Sequence, residues 1–173
     1  MHVKLKRKYV FYMLIDSVDQ KIVAILQLNA RTSNAEIGRQ VGLTASAVHE
    51  RIKKLEKAGI IAGYQAILDH AALGKSLLAY VFVRIHPHRM CTSVAAALER
   101  VPSVQEVAHL TGDECFMVKT RCADTAELES LIFDINEIEG VHGTRTVIAF
   151  SAITERASLA INEMRGDGKD AGK

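Results

Sequence analysis

The chain has 173 residues, 49% of them hydrophobic and 24% charged, with a formal net charge of +2. That balance excludes a disordered arm and leaves room for one large or two small folded domains. The charge is unevenly placed, because residues 1–60 carry 11 Lys and Arg against 5 Asp and Glu while the remainder carries 11 against 15; the first portion suits a polyanionic partner and the second does not.

Residues 1–15, MHVKLKRKYVFYMLI, join a basic start to a short apolar run. No small-residue cleavage site follows, so the segment reads as an N-terminal arm rather than a secretion signal. Asp16 or Ser17 can cap a helix with Val18, Ile22, Ile25 and Leu26 on one face. Ser33 is placed to cap a second helix, Glu36 to complete a capping box, and Gly42 to end it. Thr44 is placed to cap a third, along which Val48, Ile52 and Leu55 form one stripe and Ser46, His49, Lys53 and Lys54 the opposite one. Gly59 supplies a left-handed stop, with Ile60 falling back on Leu55 as in a Schellman end. Two capped helices around a glycine turn, the second with a basic outer face, form a helix-turn-helix and make double-stranded DNA the first partner to consider. IIAGYQAILD, directly after Gly59, reads as a strand and hence a wing or an exit strand beside the third helix.

From Leu77 the periodicity changes from helical to alternating. LLAYVFVRI puts Ala79, Val81, Val83 and Ile85 on one face of a strand and Tyr80 and Phe82 on the other. A helix over 92–100 follows, with Val94, Ala95 and Leu98 inward. Strands over 104–110 and 115–120 are joined by the polar turn Thr111, Gly112, Asp113, Glu114. Asp124 and Glu127 open a helix with the stripe Leu128, Leu131, Ile132 and Ile135, which Gly140 would end. A last strand over 144–153 completes the order βαββαβ, the ferredoxin-like arrangement of four antiparallel strands with two helices on one face. GDGKDAGK is a flexible tail by composition.

The fold class is therefore α+β: an N-terminal winged helix-turn-helix followed by a βαββαβ ferredoxin-like α/β sandwich. The expected boundaries are an arm over 1–15, the DNA-binding domain over 16–69, a linker over 70–76, the sheet domain over 77–153 and a tail over 154–173. Helices cover one face of such a sheet; the other, with Tyr80 and Phe82, calls for a second copy of the chain, since symmetric homodimers are the commonest assembly. Such a dimer holds two recognition helices about one DNA turn, or a multiple, apart.

DSVDQKIVAILQLNARTSNAEIG, LTASAVHERIKKLEKAGIIAGYQAIL and EGVHGTRTVI together resemble the Lrp/AsnC (leucine-responsive, feast/famine) transcription regulators, over nearly the whole chain from about Asp16 to Ile153. The resemblance implies that the second domain, often called RAM, senses an effector and builds oligomers, dimers often assembling into octamers. It implies an amino acid or related small metabolite as effector, held in a cleft between subunits. It places Ala45, Ser46, His49, Glu50, Lys53 and Lys54 on the DNA side, with Arg51 as a phosphate or intramolecular partner. The helix starts at Ser33 and Thr44 would hold phosphates. Glu50 departs from the basic or neutral residue expected there; it can accept from a cytosine amino group or repel phosphate. The family's effector loop resembles Gly-x-x-Asp, and here Gly112, Asp113, Glu114 and Cys115 stand in it. Cys115 replaces the aspartate that would bind an amino group, leaving that task to Asp113 or Glu114. The implied cleft is Leu110, Thr111, Gly112, Asp113, Glu114 and Cys115, with Thr144 and Thr146 from the last strand.

Three other chemistries can be weighed. Cys91, Cys115 and Cys122 are an odd set without a close pair, which points to a reducing cytoplasm rather than a disulfide framework. His86, His88 and Cys91, or His109 with Cys115 and Cys122, suggest a metal- or redox-sensing winged-helix regulator, but tight ligand pairs are missing and no metal ligand is assigned. Sirohaem decarboxylases resemble the same two-domain architecture, yet no cluster of His and Arg is gathered for a tetrapyrrole. No catalytic residues, no cofactor and no membrane span are expected.

Overall fold

The computed structural model describes residues 15–155, so the expected N-terminal arm and tail lie outside the described residues except at their inner ends. The chain divides into two compact units, described over 15–66 and 67–155.

The first unit holds α1 (Ser17–Leu28), α2 (Asn34–Val41) and α3 (Ala45–Lys57). Each begins on a side chain that accepts from an otherwise unpaired backbone N–H: Asp16 from Asp19 at 2.7 Å, Ser33 from Glu36 at 3.2 Å, and Thr44 from Ala47 at 3.2 Å. A cap of this kind stabilises a helix by about 1 kcal/mol. Ile22, Ile37, Val48 and Leu55 form the small core, with Val18, Ile25, Leu26, Val41 and Ile52 packed around it. The end of α3 is a complete Schellman motif, in which Ile60 N–H donates to Leu55 O and Gly59 N–H to Glu56 O, both at 2.9 Å, with Gly59 at φ 74°.

Two expectations for this unit fail. The capping box at α2 is half formed, because the Glu36 carboxylate pairs with Arg39 and accepts from Gln40 at 2.9 Å instead of turning back to the helix start. The segment IIAGYQAILD is not a strand, so no wing is formed among the described residues. Its side chains satisfy strand propensity, but a strand exists only as half of a hydrogen-bonded ladder, and no described segment pairs with it.

Gly38, unremarked in the sequence, fixes the turn between α2 and α3. Leu43 N–H donates to Gly38 O at 2.9 Å, and a Cβ on Gly38 would stand 2.4 Å from the Leu43 carbonyl oxygen. Because the obstacle is backbone, Gly38→Ala should push the turn off the helix and cost about 1–3 kcal/mol. Amide hydrogen exchange of the variant should show faster opening of α2 and α3 with the sheet amides unchanged. Equal protection in α2 and α3 would show that the turn yields freely.

The second unit runs β1 (Leu77–Ile85), a 3₁₀ turn (His88–Met90), α4 (Cys91–Leu98), β2 (Val104–His109), β3 (Phe116–Cys122), α5 (Thr125–Asn136) and β4 (Val141–Ala149). The sheet is antiparallel with order β2-β3-β1-β4. Alternation along β1 buries Ala79, Val81, Val83 and Ile85 beneath Val94 and Leu98 of α4 and Leu128, Leu131 and Ile135 of α5. Gly140 does not end α5, which stops at Asn136 with Glu137 as its cap. Instead, Gly140 lies where a Cβ would meet Met90 Cβ at 2.7 Å, letting the loop before β4 close on the 3₁₀ turn. β4 is displaced from the expected 144–153 because pairing with β1 begins at Val141, opposite Ile85, and is complete at Ala149, opposite Leu78.

The face away from the helices is half closed by the chain itself. The Arg145 guanidinium lies 4.1 Å over the Phe82 ring, and Glu155 accepts from Lys119 and Arg121, both at 2.5 Å. Val147, on the same face as Tyr80, stays exposed, as do Phe150 and Ile153 just beyond β4.

Candidate nucleic-acid interface and ligand cleft

α3 carries its core stripe inward and leaves Ala45, Ser46, His49, Glu50, Lys53 and Lys54 exposed. Lys57, not among the sequence candidates, belongs with them: it is exposed and follows Ser46, Glu50 and Lys53 at helical spacing. Among the described residues no ion pair engages Lys53, Lys54 or Lys57. Arg51 is different. Its guanidinium donates to Asp16 at 2.6 Å and to Asp19 at 2.8 Å, so of its two expected roles it takes the intramolecular one and is not a free phosphate ligand. The Asp19 backbone N–H and the Arg51 guanidinium together hold the Asp16 carboxyl below its ordinary value. Ser33 and Thr44 are exposed with their oxygens already used as caps, which leaves phosphate contacts there to the remaining N–H groups of each first turn.

In the second unit a cleft of about 580 Å³ is lined by Leu110, Thr111, Gly112, Asp113, Glu114 and Thr144 of the expected set, joined by Arg84 and Arg145. The two arginines follow from register: Arg84 stands opposite Gly143, and Phe82 opposite Arg145. Gly143 leaves room for the Arg84 guanidinium, which a Cβ there would meet at 3.2 Å. Glu114 accepts from Arg145 Nε at 2.7 Å, a bond that holds its carboxyl low, with the fields of Arg145 and Arg84 adding to it. Gly112, at φ 118°, shapes the loop tip, and Asp113 is exposed upon it.

Cys115 and Thr146 do not line this cleft. Cys115 is buried, with its N–H donating to Val83 O at 2.9 Å and its carbonyl accepting from Leu110 N–H at 2.8 Å, so the backbone turns its side chain into the core. Thr146 lies opposite Val81 on the helix side of β4 and lines a separate groove of about 720 Å³ between α5 and β4. The thiol of Cys115 meets His88 Nδ1 at 3.8 Å, and His88, Cys91 and Cys115 bring their ligand atoms within 4.8 Å of one another. Burial pushes the Cys91 thiol up, and the adjacent Cys115 sulfur adds to the shift.

Two family models match the chain, one described as the AsnC-type helix-turn-helix domain over residues 15–56 and one as the Lrp/AsnC ligand binding domain over residues 78–159. The chain is 37% identical over 147 residues to the HTH-type transcriptional regulator FL11 of Pyrococcus horikoshii, covering 85% of this chain and 97% of that protein. It is 34% identical over 151 residues to the leucine-responsive regulatory protein of Haemophilus influenzae, covering 85% and 90% respectively. Among solved structures it is similar to a transcriptional regulator from Neisseria meningitidis crystallised as an L-Met complex, with a TM-score of 0.81, 28% identity, and coverage of 86% of this chain and 97% of that one.

Proposed function

The chain belongs to the Lrp/AsnC family of transcriptional regulators, and on that footing we propose that it binds operator DNA in a sequence-specific way and answers to a small amino acid or related metabolite. α3 enters the major groove. Ser46, His49 and Glu50 meet base edges, while Lys53, Lys54 and Lys57 and the first turns behind Ser33 and Thr44 meet phosphates. Residues 16–69 serve this contact, and residues 77–153 bind the effector and assemble the oligomer, at least a dimer. We assign no catalytic step, and the named relatives are regulators.

One observation carries the effector reading: the 580 Å³ cleft gathers both signs of charge at one loop. Arg84 and Arg145 suit an α-carboxylate, and Asp113, exposed at the tip, suits an α-ammonium. Glu114 is committed to Arg145 and acts by orienting it. This division of labour replaces the aspartate absent at Cys115. The relative from Neisseria meningitidis, whose structure is an L-Met complex, supports the choice of an amino acid.

Duplex binding measured with and without each of the common amino acids tests the reading. At least one, L-Met among those tried first, should shift the affinity of the unaltered protein and raise its melting temperature, since a ligand of the folded state alone stabilises it. Asp113→Ala with Glu114→Ala should abolish both responses and leave basal duplex binding in place. A response that survives the double substitution removes the cleft from the mechanism.

A further inference from the structure

We propose that His88, Cys91 and Cys115 form a binding site for a thiophilic cation of the Zn²⁺ type. Three segments meet there: the 3₁₀ turn gives His88, the first residue of α4 gives Cys91, and the residue before β3 gives Cys115. Their ligand atoms all lie within 4.8 Å of one another, and the Cys115 sulfur is 3.8 Å from His88 Nδ1. Tetrahedral zinc, with Zn–S near 2.3 Å and Zn–N near 2.05 Å, sets neighbouring S and N ligands about 3.6 Å apart and two sulfurs about 3.8 Å apart. The cluster is therefore close to metal geometry without rearrangement of its backbone.

The chemistry of the set is selective. Two thiolates and an imidazole favour zinc over magnesium or calcium, which prefer oxygen donors. Binding releases the protons of the two thiols, and the cation's charge offsets the cost of holding two thiolates in a partly buried place. Cys115 is buried, Cys91 half-buried and His88 exposed, so the cation would be seated on the core and open outward, with a fourth position left for water. Because Cys115 follows Glu114 directly, an occupied site anchors the effector loop to α4 and the turn. The site rests on these residues alone and stands or falls independently of the amino-acid cleft.

Titration of the reduced full-length protein with Co²⁺, followed by displacement with Zn²⁺, tests the proposal. One equivalent per chain should bind, with a thiolate-to-cobalt charge-transfer band, and Zn²⁺ should raise the melting temperature. Loss of an outer partner of a metal ligand costs about 10–100-fold in affinity, so His88→Ala and Cys91→Ser should each weaken binding by at least about 100-fold. His88 is exposed on its turn, which keeps the His88→Ala protein folded. His86→Ala and His109→Ala, outside the cluster, should leave binding unchanged. Binding that survives His88→Ala, a cobalt spectrum without thiolate character, or no metal retained under reducing conditions would each overturn it.

Discussion

Lys53→Ala combined with Lys54→Ala is expected to lower operator affinity by at least on the order of 100-fold at physiological salt and to flatten its salt dependence. Each neutralised phosphate contributes about 0.9 to the slope of log affinity against log salt, so the two lysines account for about 1.8 per chain and about 3.6 for a dimer on its operator. Both side chains are exposed on α3 and, among the described residues, free of ion pairs, so the substitution leaves the helix core of Val48, Ile52 and Leu55 alone. Binding isotherms over a salt series give the slope directly. A slope equal to that of the unaltered protein would remove both lysines from the interface.

On the proposed dimer, Val147→Asp with Phe150→Asp is expected to give single chains and to weaken operator binding by about 10²–10⁴, the usual gain of linking two binding modules. Both residues are exposed in the chain, so the fold tolerates the change. Placed at a buried contact between copies, two carboxylates would lose their hydration with no partner to offset it. Sedimentation reads the first effect and duplex titration the second. A variant that remains dimeric would exclude this face from the contact between copies.

What was legible in the sequence was local. Caps at Asp16, Ser33 and Thr44, the glycine at Gly42 and the Schellman stop at Gly59 act over three to six residues, and each is found in place. The alternation of β1 and the stripe of α5 were equally plain, since the core reads them at periods of two and 3.6. What failed depended on partners distant in the chain. A wing strand needs another strand, and among the described residues none pairs with residues 60–69. Gly140 reads as a helix stop from spacing alone, because its partner, Met90, lies fifty residues away. Arg84 and Arg145 enter the cleft through the pairing of β1 with β4, which no spacing reveals. The same holds for Cys115: His88 and Cys91 lie three residues apart on one turn, and Cys115 joins them only when the sheet brings the start of β3 beneath α4.

Arg51 ties α3 to the opening turn of α1 through Asp16 and Asp19. The reading helix therefore takes its heading from the first residues of α1 as well as from its own core. Without that tie, the small core of Ile22, Ile37, Val48 and Leu55 alone would set the heading of α3.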